Sequence, residues 1–366
     1  MARAIRLARL GLYTTDPNPR VGCVLVRDDE IVGEGWHRRA GAPHAERIAL
    51  AAAGERARGA TAYVTLEPCC HQGRTPPCTE ALVAAGVKRV VAAMVDPNPV
   101  VSGQGLARLQ ESGVETHSGL LEAEAAALNP GFVKRMVQGL PYSRCKLAAS
   151  LDGRTAMASG ESQWISSEAS RRDVHRLRAR SSAVITGVGT VLADDPSMTV
   201  RLKAADLPGL GPGEPVRQPL RVVVDSYLRT PASARMLALP GGTLIACLAG
   251  ASSARMVELQ AAGARVEVFP EARGRVSLEA LLRRLAKEEV NEVLLEAGPT
   301  LAGTALTSGL IDELILYTAP HLMGNGARGL FQLPGLVRME HRIPLTIDEV
   351  RRIGPDLRLR LHLDRV

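Results

Sequence analysis

The segment His44-Ala45-Glu46, together with Glu67-Pro68-Cys69-Cys70-His71-Gln72-Gly73-Arg74-Thr75-Pro76-Pro77-Cys78, concentrates the metal-binding and proton-carrying side chains of this chain. One imidazole and two thiolates are enough to hold Zn²⁺ with its fourth position open, the arrangement of a catalytic centre. An ion held in this way lowers the pKa of bound water to near neutrality and so makes hydroxide available at working pH. Glu46 stands two residues from His44, a spacing that does not share a helix face. It is poorly placed as a ligand and well placed to move protons as a general acid and base. A closed, structural site would need a fourth protein ligand, and Cys70 and His71 are at hand to supply one. Adjacent side chains diverge, so Cys70 reads as a bystander.

These residues need elements to position them. Ile5, Ala8 and Leu12 recur at helical spacing with Gly11 where a helix can stop, so the arginine-rich start reads as a first helix and not as a transit peptide. Prolines make 15–19 a loop. An apolar strand at 21–26, a turn at Asp28-Asp29 and a return strand at 31–36 form a hairpin that delivers His37 just past its end. Pro43 is suited to the first turn of an alanine-rich helix that carries His44 and Glu46 and ends near Gly54. A strand at 61–66, the cysteine loop, a helix at 79–85, a strand at 89–95, a helix at 106–113, a strand at 114–117 and a helical stretch over 121–138 complete a three-layer α/β domain.

Gly139-Leu140-Pro141 breaks the pattern, which divides the chain into domains 1–142 and 143–366. The second alternates again, with strands expected at 143–149, 183–186, 220–225, 243–248, 265–269, 292–296 and 313–318. Helices are expected at 167–180, 253–262, 277–288 and 300–308. The Gly- and Pro-rich stretch 203–219 reads as a surface loop, and 345–352 with 357–363 as a closing hairpin turned at Gly354-Pro355-Asp356.

At 366 residues the chain suits two domains. Its 46% hydrophobic and 23% charged residues fit a globular protein, and no run of about twenty apolar residues exists to span a bilayer. Six unevenly spaced cysteines point to a reducing cytoplasm and metal ligation rather than a disulfide framework. Cys23, Cys145 and Cys247 lie in apolar strands and read as core. The net charge of +7 comes with only 3% aromatic residues for base stacking, which disfavours a nucleic-acid partner. The excess falls mostly after residue 142, where an anionic small molecule would suit it.

In zinc deaminases a His-x-Glu and a Pro-Cys element supply these roles, the second cysteine following at Cys-x-x-Cys. Here an eight-residue insert separates Cys69 from Cys78. Its ending, Gly73-Arg74-Thr75-Pro76-Pro77-Cys78, resembles one family, the bifunctional riboflavin-biosynthesis deaminase and reductase. Thr15-Asp16-Pro17-Asn18-Pro19-Arg20-Val21-Gly22 and Glu67-Pro68-Cys69 are similar to its deaminase half. Lys146 to Arg154, Gly160-Glu161-Ser162-Gln163-Trp164-Ile165, Thr190 to Pro196 and Glu296-Ala297-Gly298-Pro299-Thr300-Leu301 resemble its reductase half. The likeness runs through nearly the whole chain.

That resemblance implies a cytidine-deaminase-like α/β/α domain followed by a dihydrofolate-reductase-like α/β domain. His44, Cys69 and Cys78 would ligate Zn²⁺ and Glu46 would carry protons. Asn18, His37, His71 and Arg74 would line the pyrimidine and its phosphorylated tail. In the second half no Gly-x-Gly-x-x-Gly follows a strand, and the residues alone offer only the strand-to-helix segment 296–304, suited to phosphate. On the family pattern NADPH would meet Ala148, Trp164, Thr190, Asp194, Ser226 and Gly298, Pro299, Thr300, Leu301, Ala302, Gly303 and Thr304. Ser162, Arg178, Met198, Arg201 and Glu296 would hold substrate, the two arginines facing its phosphate; Met198 stands where leucine is usual. The substrate would be 2,5-diamino-6-(5-phosphoribosylamino)pyrimidin-4-one, deaminated and then reduced from ribosyl to ribityl, in a cytoplasmic homo-oligomer with no membrane partner. The competing expectation is a zinc deaminase acting on a nucleobase in RNA, which leaves the second half without a purpose.

Overall fold

A computed structural model describes residues 1–71 and 76–363. The chain forms two compact units, Met1–Leu140 with Lys203–Pro215, and Pro141–Leu202 with Val216–Val366.

The first unit is built on a five-stranded sheet, ordered β2-β1-β3-β4-β5. Its strands are β1 (Gly22–Arg27), β2 (Glu30–Trp36), β3 (Thr61–Val64), β4 (Arg89–Ala92) and β5 (Glu115–Ser118). β1 pairs antiparallel with β2 and β3, whereas β3, β4 and β5 run parallel. Helices α2 (Ala45–Ala53), α3 (Cys78–Ala84) and α4 (Gln104–Glu111) bury Ala49, Leu82 and Leu109 on one face against Cys23, Leu25 and Val90. Helices α1 (Ala2–Ala8), α5 (Glu122–Ala126) and α6 (Pro130–Gln138) cover the other with Ile5, Ala125 and Phe132.

Small residues bring α2 unusually close to the sheet. A Cβ on Gly33 or Gly35 would run into the carbonyls of Ala49 and Ala45, so only glycine permits this approach. Two local expectations are corrected. Helix α2 starts at Ala45 with His44 as its N-cap, leaving Pro43 outside the first turn, where its carbonyl is free to accept a hydrogen bond. The helical stretch 121–138 is two helices, because Pro130 has no N–H to continue α5 and instead opens α6 at its first position.

The second unit carries a nine-stranded sheet, ordered β11-β10-β9-β8-β14-β6-β15-β18-β17. Its strands are β6 (Tyr142–Ser150), β8 (Ala183–Gly187), β9 (Leu220–Val224), β10 (Thr243–Cys247), β11 (Arg265–Val268), β14 (Glu292–Leu295), β15 (Glu313–Ala319), β17 (Leu345–Ile353) and β18 (Asp356–Leu363). The first seven run parallel and the last two close the edge as an antiparallel hairpin. Two short pairs complete it: β7 (Arg154–Ala156) with β16 (Arg328–Gly329), and β12 (Glu271–Ala272) with β13 (Arg275–Val276).

Helices α7 (Glu168–Arg180), α8 (Val188–Asp194), α9 (Arg235–Ala238), α10 (Ser253–Ala261), α11 (Leu278–Lys287) and α12 (Pro299–Thr307) connect the strands. Ser167, Ser252 and Ser277 cap α7, α10 and α11 through their side chains. The buried Asp356 at the hairpin turn accepts from the Ser167 amide and hydroxyl, both at 2.8 Å, which ties the hairpin to the start of α7.

The stretch 203–219 is not simply a surface loop. Leu207 is buried, and residues Lys203–Pro215 belong to the first unit, where Glu214 pairs with Arg39 at 2.6 Å.

Candidate active site

In the first unit, helix α2 and the loop after β3 converge. His44, at the N-cap of α2, places Nδ1 3.5 Å from Cys69 Sγ and 3.4 Å from Cys78 Sγ. Tetrahedral angles with usual Zn–S and Zn–N bond lengths require an N···S separation of about 3.6 Å, so the donor set fits zinc. All three ligand atoms lie within 4.8 Å of one another.

Cys78 opens α3, and its amide donates to Cys69 O at 3.1 Å and to Cys69 Sγ at 3.4 Å. A hydrogen bond from the Cys78 thiol, with another from His44, holds the Cys69 thiol down to about 4. Cys78 is raised, since its proton is the one the two sulfurs share. Low-pKa thiols of this kind make good metal ligands.

Glu46 sits in the first turn of α2, buried at 3% exposure. Burial first, and then the Cys69 charge, push its carboxyl up to about 7, the range in which a carboxylate both takes and returns a proton. Beside it the buried His37 stands edge-on to the His44 ring, with centroids 5.2 Å apart. Its Nδ1 lies 3.1 Å from Pro43 O and its Nε2 3.0 Å from the Asn18 side-chain nitrogen. The loop bearing Asn18 is anchored at Arg20, whose amide donates to Asn129 Oδ1 at 2.7 Å.

Thus Asn18 and His37 join His44, Glu46, Cys69 and Cys78, while His71 is exposed and Arg74 lies outside the described residues.

Two features escaped the sequence reading. Glu67 is buried, and its carboxylate accepts the amides of Asp96, Gly103 and Leu106 at 3.0, 2.9 and 3.0 Å, fastening the 96–106 segment beside Pro68 and Cys69. Asp96, buried and pushed up to about 6 by burial, opens Asp96-Pro97-Asn98-Pro99, a copy of the Asp16-Pro17-Asn18-Pro19 tetrapeptide. That duplication was the available signal.

In the second unit, Gly187, Ser226 and Glu296 fall at or just past the carboxyl ends of the parallel strands β8, β9 and β14, the side on which ligands bind in sheets of this kind. Helix α12 begins at Gly298 with Pro299 at its first position and, among the described residues, no side-chain cap at its start. These free amides and the positive helix end suit a phosphate, and so fit a dinucleotide. Gly303 packs so closely on the Gln332 backbone that a Cβ would not fit there, and Ala302 is buried. Thr300 donates to Gln332 at 2.8 Å and Thr304 to Thr300 O at 2.9 Å. Thr190 and Asp194 lie on α8, Ala148 on β6, and Ser226 accepts from the Val276 amide at 3.1 Å. Trp164 is exposed and stacked by Arg171, with its guanidinium 4.5 Å from the ring centre.

Arg178 and Glu296, both expected at substrate, engage each other through two hydrogen bonds of 2.6 and 2.9 Å. Arg178 also donates to Thr199 O at 3.1 Å, holding the segment with the buried Met198 and the exposed Arg201. His175 is pushed down to about 4 by burial and by the nearby Arg178 and Arg201. Ser162 is half-buried in the loop before α7.

Residues 1–94 match the cytidine and deoxycytidylate deaminase zinc-binding region, and residues 141–359 the RibD C-terminal domain. Fold and site together define a bifunctional enzyme, a zinc-dependent deaminase joined to a dihydrofolate-reductase-like NADPH-dependent reductase. The riboflavin biosynthesis protein RibD of Escherichia coli is 54% identical over 99% of this chain and 98% of its own, and that of Haemophilus influenzae 47% over 98% and 95%. The solved structure of Acinetobacter baumannii RibD, form 1, superposes with a TM-score of 0.91 at 47% identity, covering 100% of this chain and 98% of that one. A diaminohydroxyphosphoribosylaminopyrimidine deaminase/5-amino-6-(5-phosphoribosylamino)uracil reductase from Thermotoga maritima gives 0.85 at 31% identity, covering 100% and 97%. The chain belongs to the RibD family of riboflavin biosynthesis proteins, and it is both a deaminase and a reductase. The RNA-nucleobase alternative is not favoured, because these relatives account for the chain over its whole length.

Proposed function

We propose that residues 1–142 carry the hydrolysis of the 2-amino group of 2,5-diamino-6-(5-phosphoribosylamino)pyrimidin-4-one, and residues 143–366 the reduction of the resulting ribosyl side chain. One observation supports the first assignment above all: a His-Cys-Cys donor set at zinc-binding separations, with a buried carboxyl poised near neutrality beside it. His44, Cys69 and Cys78 hold the zinc, which when bound supplies a hydroxide nucleophile at neutral pH. Glu46 takes the first proton of the attacking water and gives it to the ring nitrogen, then takes the second from the new hydroxyl group on carbon and gives it to the amine, which departs as ammonia. Asn18, His37 and His71 line the pyrimidine and its phosphorylated tail, a role that the family pattern extends to Arg74.

For the reductase, NADPH supplies hydride, and the protein supplies orientation and electrostatics. Ala148, Trp164, Thr190, Asp194, Ser226 and the 298–304 segment hold the cofactor. Ser162, Met198 and Arg201 meet the substrate, with Arg201 facing its phosphate and the Arg178–Glu296 pair forming the floor between them. One preparation tests both assignments: ammonia release should require zinc, and NADPH oxidation should require the deaminated product. Oxidation of NADPH with the undeaminated pyrimidine at an equal rate would refute the order of steps.

The protein acts in the cytoplasm, as its reduced cysteines suggest, and as a homodimer. The hairpin supports the dimer. One of its faces carries Leu345, Ile347 and Val350 opposite Leu363, Leu361 and Leu359, whereas the other is laced by Arg358–Glu349 and His362–Asp348 pairs. Ile347, Val350 and Leu357 are exposed, and a cleft of about 440 Å³ lined by Leu314, Phe331, Val337 and Met339 adjoins Leu345.

A further inference from the structure

We infer that His37 is a positioning residue that fixes the side-chain amide of Asn18 with its carbonyl oxygen presented to the substrate. The inference rests on the reading that Asn18 meets the pyrimidine substrate.

The argument runs through hydrogen-bond polarity. His37 Nδ1 lies 3.1 Å from the Pro43 carbonyl, and a carbonyl only accepts, so Nδ1 carries the proton. His37 Nε2 lies 3.0 Å from the amide nitrogen of Asn18, and an amide nitrogen only donates, so Nε2 offers its lone pair. Both ring nitrogens are thereby committed to the protein, and neither is left for substrate. The Asn18 amide cannot turn over without bringing its oxygen against that lone pair. Its Oδ1 accepts no hydrogen bond among the described residues, so it is the acceptor left over for a ligand. A fixed acceptor selects an N–H or O–H donor on the ligand and rejects a carbonyl in its place, because an unpaired acceptor is costly.

The same ring also bears on the metal ligand. Pro43 O immediately precedes His44, and the His37 and His44 rings meet at 82°. The hydrogen bond that sets the His37 tautomer thus also sets the chain's approach to the N-cap of α2. Asn18 itself is held from behind, its amide donating to Thr15 O at 2.9 Å.

The tautomer is directly readable in the zinc-loaded, full-length protein labelled with ¹⁵N-histidine. The His37 resonances, assigned by their loss in His37→Gln, should report a protonated Nδ1 and a bare Nε2 at neutral pH. A protonated Nε2, alone or together with Nδ1, overturns the proposal. Kinetics give the second arm: His37→Phe keeps the ring's volume and removes both nitrogens, and should raise the deaminase KM about tenfold more than it lowers kcat. NADPH oxidation with the deaminated product should be unchanged. An unaltered KM in a zinc-replete His37→Phe protein also overturns it. Should that variant fail to fold, the wild-type spectrum decides alone. Deamination unaffected by Asn18→Ala would instead remove the underlying reading of Asn18, even where the spectrum shows the expected tautomer.

Discussion

Arg178 and Glu296 meet as a parallel two-pronged pair, Nε to Oε1 at 2.6 Å and Nη2 to Oε2 at 2.9 Å, although 118 residues separate them. Both side chains are largely withdrawn from water, so neither charge tolerates the loss of the other.

The pair has a pH signature. Burial alone would raise the Glu296 carboxyl, but the charge and hydrogen bonds of Arg178 outweigh it and leave it below its ordinary value. A depressed carboxyl stabilises the fold above the unfolded pKa, and that stability is lost as pH falls through the folded value. Glu296→Gln should therefore cost about 3 kcal/mol near pH 7, and the gap to wild type should close below pH 4.5. Denaturant unfolding of the full chain across pH measures it, and a gap that widens in acid would contradict the assignment.

Glu46→Gln should retain zinc and fold while slowing ammonia release by about 10²- to 10⁴-fold, the usual worth of a positioned acid–base group. Metal analysis and a coupled ammonia assay check this. Full activity in the variant would remove Glu46 from the chemistry.

Arg201→Met should weaken the phosphorylated substrate at least tenfold, as expected for the loss of a charge-assisted contact, and leave the KM for NADPH unchanged. Equal losses in both constants would argue against a phosphate contact. Arg201 is more informative here than Arg178, whose guanidinium is committed to Glu296.

Ile347→Lys with Val350→Asp should convert the proposed dimer to a monomer in analytical ultracentrifugation, with each protomer still folded. Charges on an exposed apolar face disturb association much more than stability. An unchanged sedimentation coefficient would place the interface elsewhere.

Much of the architecture was legible because the period of the hydrophobic pattern carried it. The β1–β2 hairpin, the alanine-rich α2 and the closing β17–β18 hairpin lie within a residue or two of their expected bounds. The donor set was legible because His, Cys and Glu are chemically conspicuous. What escaped had no local mark. Glu67 works through backbone amides 29 to 39 positions downstream, and any residue can supply an amide. The pairing of Arg178 with Glu296 needs the sheet to bring α7 and the end of β14 together. Short α8 was hidden by the glycines at 187 and 189, which weaken a helical pattern.

The excursion of Lys203–Pro215 has a practical meaning for dissection of the chain. Gly209 sits so close to the Leu10 carbonyl, near Trp36, that no side chain fits there, and Arg39 holds Glu214. A fragment beginning near residue 141 therefore carries away a stretch that completes the surface of the piece left behind. Each half made alone is expected to expose a seam, one as an uncovered patch and the other as a sticky flap. Expressed separately, the two activities would be best obtained by replacing 203–215 with a short linker in one fragment and supplying it as a peptide to the other.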